Sequence, residues 1–371
     1  MTLRILFVSG TTVGGSGRSQ RELAAQLVRR GHSVRFLVDD GRPARGARWL
    51  YGQLSDLSVR LAGRSVCSMV SGLRDSIGRR TSSMVIDDQT HHACALPQNA
   101  MARELRDFGP DVVVVSSVER WAWRQISARC TSAGKPTILY VREMDTLGHL
   151  DTGSLPTVLV ANALSLTQRL RSSGFTCSFI PSVVDTSTTH TSSERRVALS
   201  INPVVDKGGD LFWEIAARLP QIPFVIQESW PLSDSDLHDV ETRVASCANV
   251  EFRRRAPAGP GLYRDARVLL VPYRVDSRPR VILEAQANGI PVVVGDVAGL
   301  VEAVGDGGVT VPLESVDEWV RAVRRMWEDE SMYEALSAAA LIHSGRAEVD
   351  PVAITAEFEG LLAVAISKIG A

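Results

Sequence analysis

The sequence predicts an α/β chain built as two doubly wound units in series. Three observations predict it. Short apolar runs recur through both halves, spaced so that a helix fits between most neighbours. A glycine-rich turn, Val13-Gly-Gly-Ser-Gly-Arg18, follows the first of them. The length, 371 residues, exceeds one ordinary α/β domain and suits two of about 180 each.

Residues 3–9 read as a buried strand, and a helix is expected over 19–30, with Leu23, Ala24 and Leu27 at helical spacing. Gly31 ends that helix and 33–38 form a second strand. This is a βαβ unit, whose sheet must be parallel and whose crossover must be right-handed. Residues 41–108 are rich in Arg, Ser and Gly and predict short strands and helices without firm boundaries. The rhythm returns with strands at 112–116, 137–141, 157–160 and 177–180 and helices near 120–130 and 163–172. A stretch dense in Thr and Ser, 186–194, reads as a linker. A second series of strands follows at 196–200, 223–227, 250–252, 267–271, 291–295 and 308–311. The last helix, 351–368, carries Phe358, Leu361, Leu362, Val364 and Ala365 on one side. The expected division is therefore a first domain over 1–188, a second over 189–350, and a terminal helix over 351–371 that packs back toward the first. Ligands of doubly wound sheets bind beyond the carboxyl ends of the strands, which puts the expected site in a cleft where the two sheets face each other.

Composition narrows the function. The apolar fraction is 44% and the charged fraction 22%, ordinary for globular chains, so each half can bury its own core. A formal net charge of −1 supplies no global positive field and argues against nucleic acid as a default partner. The cysteines at 67, 94, 130, 177 and 247 are odd in number with no close pair, which suggests neither a disulfide framework nor a zinc ribbon but reduced thiols in the cytoplasm. The apolar run at the start is too short for a signal-peptide core or a bilayer span. The arginines of 42–80 read as a solvated face, with weak contact to an anionic membrane surface as the other reading. Lysine is scarce, appearing only as Lys135, Lys207 and Lys368 among 41 basic residues.

The chemistry concentrates between Val271 and Glu302. Pro279 suits the first turn of a helix, where its missing N–H costs nothing, and Gly289 followed by Pro291 suits the end. The helix of about ten residues between them would aim free N–H groups at an anion. Asp276 and Glu284 stand eight apart, one before that helix and one near its middle. Carboxylates beside an anion site are poor phosphate ligands but good acceptors for sugar and ribose hydroxyls. Asp87-Asp88 followed by His91-His92 has the residue types of a metal cluster, yet reads more simply as a polar loop, and no metal is expected. Trp121 and Trp123 offer an aromatic face for an acceptor, or belong to the core. Arg142-Glu143-Met144-Asp145 offers a carboxylate for the acceptor, or a structural ion pair.

The segment Asp276 to Glu284 resembles the Glu-x7-Glu region of the family 4 retaining glycosyltransferases, a GT-B family of two Rossmann-like domains. Val205-Asp-Lys207-Gly-Gly-Asp-Leu-Phe212 resembles the same family's lysine-glycine motif. Gly14-Gly15 with Arg18, and Gly31-His32-Ser-Val, resemble its N-terminal glycine loop and second strand. Val158-Leu-Val-Ala-Asn162 and Phe179-Ile-Pro-Ser-Val-Val-Asp185 resemble the end of its first domain. The resemblance implies a transferase that moves a sugar from a nucleotide diphosphate sugar to a small-molecule or glycan acceptor, retaining configuration, without a metal or other cofactor. It implies that Glu284 holds the donor ribose, that Asp276 lies beside the transferred sugar and that Lys207 pairs with the diphosphate. It assigns Gly14, Gly15, Asn202, Arg280 and Val281 to donor binding as well. The leaving diphosphate would itself help take the acceptor proton.

This chain departs from the family pattern at three places. Asp276 stands where the family usually has Glu, Asn202 where it usually has Arg, and Ser116-Ser117 where a histidine often follows the strand. Arg274, Arg278 and Arg280 crowd the same loop and are candidates to replace the missing cation. Two alternatives stay open: other GT-B chemistry, such as an epimerase, a phosphorylase or a pseudo-glycosyl coupling enzyme, and a nucleotide-sugar-binding partner without catalysis. A dinucleotide enzyme is rejected, because Gly10, Gly14, Gly15 and Gly17 do not have the fingerprint spacing.

Overall fold

A computed structural model describes residues 2–12, 14–39, 80–142, 150, 153–255, 259–275 and 278–369. The chain divides into two compact units. The first comprises 1–161, 170–180 and 355–371, and the second 162–169 and 181–354.

The first unit holds an eight-stranded sheet in the order β3-β4-β2-β1-β5-β6-β7-β8. Its strands are β1 (Arg4–Ser9), β2 (Ser33–Asp39), β3 (Ser82–Ile86), β4 (Gln89–Cys94), β5 (Val112–Ser116), β6 (Thr137–Val141), β7 (Val158–Ala161) and β8 (Ser178–Phe179). The helices between them are α1 (Gly14–Arg29), α2 (Pro97–Asp107), α3 (Arg120–Ser132) and α4 (Leu164–Ser172), of which residues 164–169 fall in the second unit. β1 pairs in parallel with β2 on one side and β5 on the other, so the strand order reverses at β1 and β5. Every residue of β5 and β6 is buried, as expected of parallel strands covered on both faces. The all-parallel expectation fails at the edge. β3 and β4 form an antiparallel hairpin turning at Asp87 and Asp88, whose φ angles are +50° and +60°. Two consecutive left-handed residues make the tight turn whose twist matches the strands, and Asp tolerates that region better than most side chains.

Two further readings change. The glycine-rich turn is not a loop before the helix but its first turn, since α1 starts at Gly14 rather than at 19. The Thr/Ser stretch at 186–194 is not a linker. The unit boundary falls at Ile180 and Pro181, and the stretch is bonded into the second unit. Thr191 N–H donates to Asn288 Oδ1 at 2.6 Å, Ser193 Oγ donates to the Ala266 carbonyl at 2.5 Å, and Glu194 N–H donates to the Arg264 carbonyl at 2.6 Å. Small hydroxyl side chains serve bonded edges as readily as solvated linkers, so composition alone misassigns them.

The second unit holds a six-stranded parallel sheet, β11-β10-β9-β12-β13-β14. Its strands are β9 (Val197–Ile201), β10 (Phe224–Gln227), β11 (Val250–Arg253), β12 (Ala266–Val271), β13 (Val292–Gly295) and β14 (Gly308–Val311). The helices are α5 (Gly209–Arg218), α6 (Asp234–Ser246), α7 (Arg280–Gln286), α8 (Ala298–Val304), α9 (Val316–Glu328) and α10 (Glu330–Ser344). One apolar cluster, with Phe212, Phe224, Trp319 and Met326, packs on one face of the sheet; another, with Tyr263, Leu269, Ile282 and Leu300, packs on the other. β9 and β12 are neighbours in the middle of the order, with the chain winding outward from each. This is the topological switch point, where open α/β sheets leave a crevice.

The final helix, α11 (Pro351–Ser367), enters the first unit from Thr355. Phe358 is fully buried, its ring 5.9 Å from that of Tyr140. Glu359 accepts from Arg30 Nε at 2.6 Å and meets His32 Nε2 at 2.9 Å. His32 Nδ1 accepts the Leu3 N–H at 3.2 Å, so the ring proton sits on Nε2 and points at Glu359. The bond from His32, and then the Arg30 charge, hold the Glu359 carboxyl below its ordinary range against the opposing cost of burial. A folded-state value below the unfolded one, near 4.5, gives stabilisation that is complete above the unfolded value and fades as pH falls through the folded one. Glu359→Gln is therefore expected to cost about 1 kcal/mol near pH 7 and almost nothing at pH 3, read from urea denaturation at each pH.

Candidate functional site

The site is built where β9 and β12 end. β9 runs into Asn202, which is fully buried with φ +43°. Its side chain accepts the Ser229 N–H at 2.6 Å and donates to the Trp230 carbonyl at 3.0 Å. Asn is among the few side chains that tolerate the left-handed region, and here both ends of its amide fasten the loop after β10. Asn202 thus shapes the floor of the crevice with a side chain already committed to backbone.

A 3₁₀ turn, Val205–Lys207, follows and leads through Gly208 into α5. Gly208 has φ +70°, and a Cβ there would lie 2.0 Å from the Pro272 carbonyl oxygen; a Cβ on Gly209 would lie 1.9 Å from that of Pro203. Gly208 lets the turn after β9 press against the backbone leaving β12, and Gly209 lets that turn close on its own start. Lys207 is half-buried, with Nζ 4.2 Å from the centre of the Tyr273 ring. The ring face attracts the ammonium and fixes its direction. Arg274 is committed elsewhere: its guanidinium holds both oxygens of Asp210 at 2.5 and 2.9 Å, and that bond keeps the Asp210 carboxyl below its ordinary range.

Asp276 lies outside the described residues. Beyond it, α7 spans seven residues rather than about ten: Pro279 is the extended cap (φ −72°, ψ 133°) and not the first helical residue, and the helix stops at Gln286, with 287–289 forming a turn. Glu284, 2% exposed, accepts from the Tyr263 hydroxyl through Oε2 at 2.8 Å and from Arg280 Nε through Oε1 at 2.7 Å. Arg280 is itself buried, and Val281 is half-buried beside it. Burial, then the Glu284 charge, push the Tyr263 phenol well above its ordinary range, so the hydroxyl keeps its proton and donates it. Glu284 is thus oriented by a phenol on one oxygen and a guanidinium on the other. Tyr263→Phe leaves Oε2 without that donor and is expected to cost about 1–2 kcal/mol, measured by urea denaturation.

In the first unit, Gly14 opens α1 with φ +71°, and nothing lies within 4 Å of a Cβ built on it. Backbone conformation, rather than crowding inside the unit, calls for glycine there. Gly15 next to it is exposed. Where a histidine was sought after β5, Ser117 stands with φ +52°, its hydroxyl 2.8 Å from that of Ser16. Trp123 is a core residue, fully buried, with Nε1 donating to the Ser154 carbonyl at 2.8 Å. Trp121 is half-buried. Glu143 and Asp145 lie outside the described residues, while Arg142 is buried over the Tyr140 ring at 4.1 Å. Asp87, Asp88, His91 and His92 do not converge: Asp87 pairs with Arg21 at 2.6 Å, His91 stacks on Phe36 at 4.4 Å, and His92 meets Glu104 at 2.6 Å.

Sequence reading brought together Lys207, Asn202, Arg280 and Glu284, all of which the second unit carries at the ends of β9 and β12 or on α7. It missed Tyr263. The i,i+4 spacing of Arg280 and Glu284 was legible, but a tyrosine seventeen residues before Arg280 carries no periodic signal.

Residues 204–329 match the family model of Glycosyl transferases group 1. A D-inositol 3-phosphate glycosyltransferase of Kribbella flavida is 42% identical over 90 residues, covering 23% of this chain; the match spans only 21% of that relative's length. Among solved structures, sucrose-phosphate synthase from Thermosynechococcus elongatus superposes with a TM-score of 0.74 at 14% identity, covering 99% of this chain and all of that one. Anabaena Alr3699/HepE in complex with UDP-glucose gives 0.71 at 12% identity, covering 97% of this chain and 99% of that one. At such identities the structures speak for the fold. Residues 204–329 are thus similar to the group 1 glycosyltransferases, within a chain that has the GT-B fold.

Proposed function

We propose that this chain transfers a sugar from a nucleoside diphosphate sugar to a hydroxyl group of a small-molecule or glycan acceptor, with retention of configuration and without a metal. The observation that carries the reading is the pairing of Lys207, held over the Tyr273 ring beside the switch point, with Glu284, held by Tyr263 and Arg280 on the helix that follows β12. An ammonium is a compact partner for a diphosphate. A carboxylate whose oxygens are already oriented is a suitable acceptor for two ribose hydroxyls. Uridine diphosphate and UDP-glucose are held by the Anabaena structures that share the fold, which makes them the first donors to try.

In this reading Lys207 neutralises the departing diphosphate, and the backbone of Arg280 and Val281 at the start of α7 supports it. Asp276 lies beside the transferred sugar. Gly14 and Gly15 keep the start of α1 clear of side chains, and Asn202 acts by holding the 229–230 loop. Positive groups aimed at charge that develops as the glycosidic bond breaks lower the barrier, and the departing phosphate oxygen then takes the acceptor proton on the same face. Among the described residues no helix is long and apolar enough to cross a membrane, and the described cysteines form no disulfide. We place the enzyme in the cytoplasm.

The test is a panel of nucleotide diphosphates and their sugars by thermal shift, followed by NMR of the product with the donor that stabilises most. A glycoside with the donor's anomeric configuration is expected. An inverted product, an epimer or a sugar phosphate would contradict the proposal.

A further inference from the structure

In the second unit β10 lies between β9 and β11, and three side chains at these strand ends are committed to loop backbone. Asn202, after β9, holds the Ser229 amide and the Trp230 carbonyl. Gln227, the last residue of β10, is buried and donates through Nε2 to the carbonyls of Glu228 at 3.0 Å, Arg254 at 3.2 Å and Arg253 at 3.4 Å. Glu228, 6% exposed, accepts the Arg255 N–H at 2.9 Å through Oε2 and the Leu232 N–H at 3.3 Å through Oε1, with Arg254 Nε 3.4 Å away. A buried carboxylate is costly unless it is paired and hydrogen-bonded. Burial by itself would raise the Glu228 carboxyl, but the Arg255 and Leu232 amides, and then the charges of Arg254 and Arg255, leave it below its ordinary range. The carboxylate stays charged and ties two loops to one strand end, 229–232 after β10 and 253–255 after β11.

We infer that Glu228 is a positioning residue for the base of the donor nucleotide, acting through the backbone of the 229–232 and 253–255 loops, a role that rests on the proposed function. That function gives the diphosphate to Lys207 and the ribose to Glu284, which leaves the base to be received. The connection from β11 to β12 carries Tyr263, whose hydroxyl orients Glu284. The chain that Glu228 fixes at Arg255 therefore reaches the ribose acceptor eight residues later. The loop after β10 contributes Trp230, half-buried, with its carbonyl already held by Asn202. Backbone amides and carbonyls distinguish one base edge from another only where their places are set in advance. Loops that order on binding lose part of the binding free energy to that ordering. One ionised side chain gripping both loops sets them together, as the partners behind a binding group fix its geometry.

The experiment is isothermal titration of the full chain with UDP, ADP and inorganic pyrophosphate at constant ionic strength. Glu228→Gln keeps the size of the side chain and removes its charge. UDP affinity is expected to fall about five- to tenfold in this variant, with pyrophosphate affinity within about twofold of the starting protein. The ratio of UDP to ADP affinity should move by about threefold or more, because the loops that tell the bases apart have shifted. Glu228→Asp keeps the charge on a shorter stem and should fall between. A residue that served stability alone would leave that ratio unchanged in the folded protein. Urea denaturation without ligand shows whether each variant folds. If Glu228→Gln does not, Gln227→Met, which releases the carbonyls of the same loop, carries the test with the same expected pattern. The inference is overturned if the folded variants keep the UDP-to-ADP ratio, or if UDP and pyrophosphate weaken together. Lys207→Ala separates this result from the proposed function, since it should weaken UDP and pyrophosphate alike whatever Glu228 does. Failure of both nucleotides to bind the starting protein would overturn the proposed function, and the role of Glu228 with it.

Discussion

Lys207→Ala is expected to remove most of the stabilisation that a nucleoside diphosphate gives. A ligand at one hundred times its dissociation constant adds roughly 2.7 kcal/mol to the folded state. A charge-assisted bond is worth about 1.5–3 kcal/mol, so losing the ammonium weakens binding about ten- to hundredfold. At the same ligand concentration and the hundredfold limit, the stabilisation falls to roughly 0.4 kcal/mol by the same relation. The ligand-free protein should change far less, because Lys207 is half-buried and its contact with the Tyr273 ring is worth about 1 kcal/mol. Thermal shift with and without UDP separates the two effects.

Gly208→Ala is expected to be among the most destabilising single-methyl changes in the second unit. The residue sits at φ +70°, where an L side chain costs about 1–2 kcal/mol. The added Cβ would also lie 2.0 Å from the Pro272 carbonyl oxygen and 2.8 Å from the Pro272 Cβ, so backbone must move on one side or the other. Such overpacking costs about 1–3 kcal/mol, and the two together roughly 3–5. Any relief that pushes the turn away from Pro272 also moves Lys207 away from Tyr273, so nucleotide affinity should fall with stability. Gly360→Ala is the control. It lies on exposed helix surface with nothing within 4 Å of the added carbon, and it should stabilise by up to about 1 kcal/mol. Urea denaturation of the three proteins orders them.

The second unit was largely legible because its signals are local. Runs such as Val268 to Val271 and Val292 to Val294 are buried on both faces, and a strand covered on both sides needs little beyond apolar, β-branched residues. Lys207 with Gly208 and Gly209 was legible as a motif, though the reason for the glycines, the carbonyls of Pro272 and Pro203, was not. What the sequence hid depends on contacts distant along the chain. The Thr/Ser stretch after Asp185 has the composition of a linker, yet its amides and hydroxyls meet Asn288, Ala266 and Arg264. The hairpin of β3 and β4 turns on two aspartates that also invited a metal reading, and only the fold shows Asp87, His91 and His92 facing separate partners.

The central claim is that the second unit's switch point holds a nucleotide. A crystal of the protein soaked with UDP-glucose tests it most directly. The diphosphate should lie within hydrogen-bonding distance of Lys207 Nζ and of the backbone at Arg280 and Val281, with ribose hydroxyls on Glu284. A nucleotide bound elsewhere, with Lys207 still resting on Tyr273 and no ribose hydroxyl on Glu284, would contradict it.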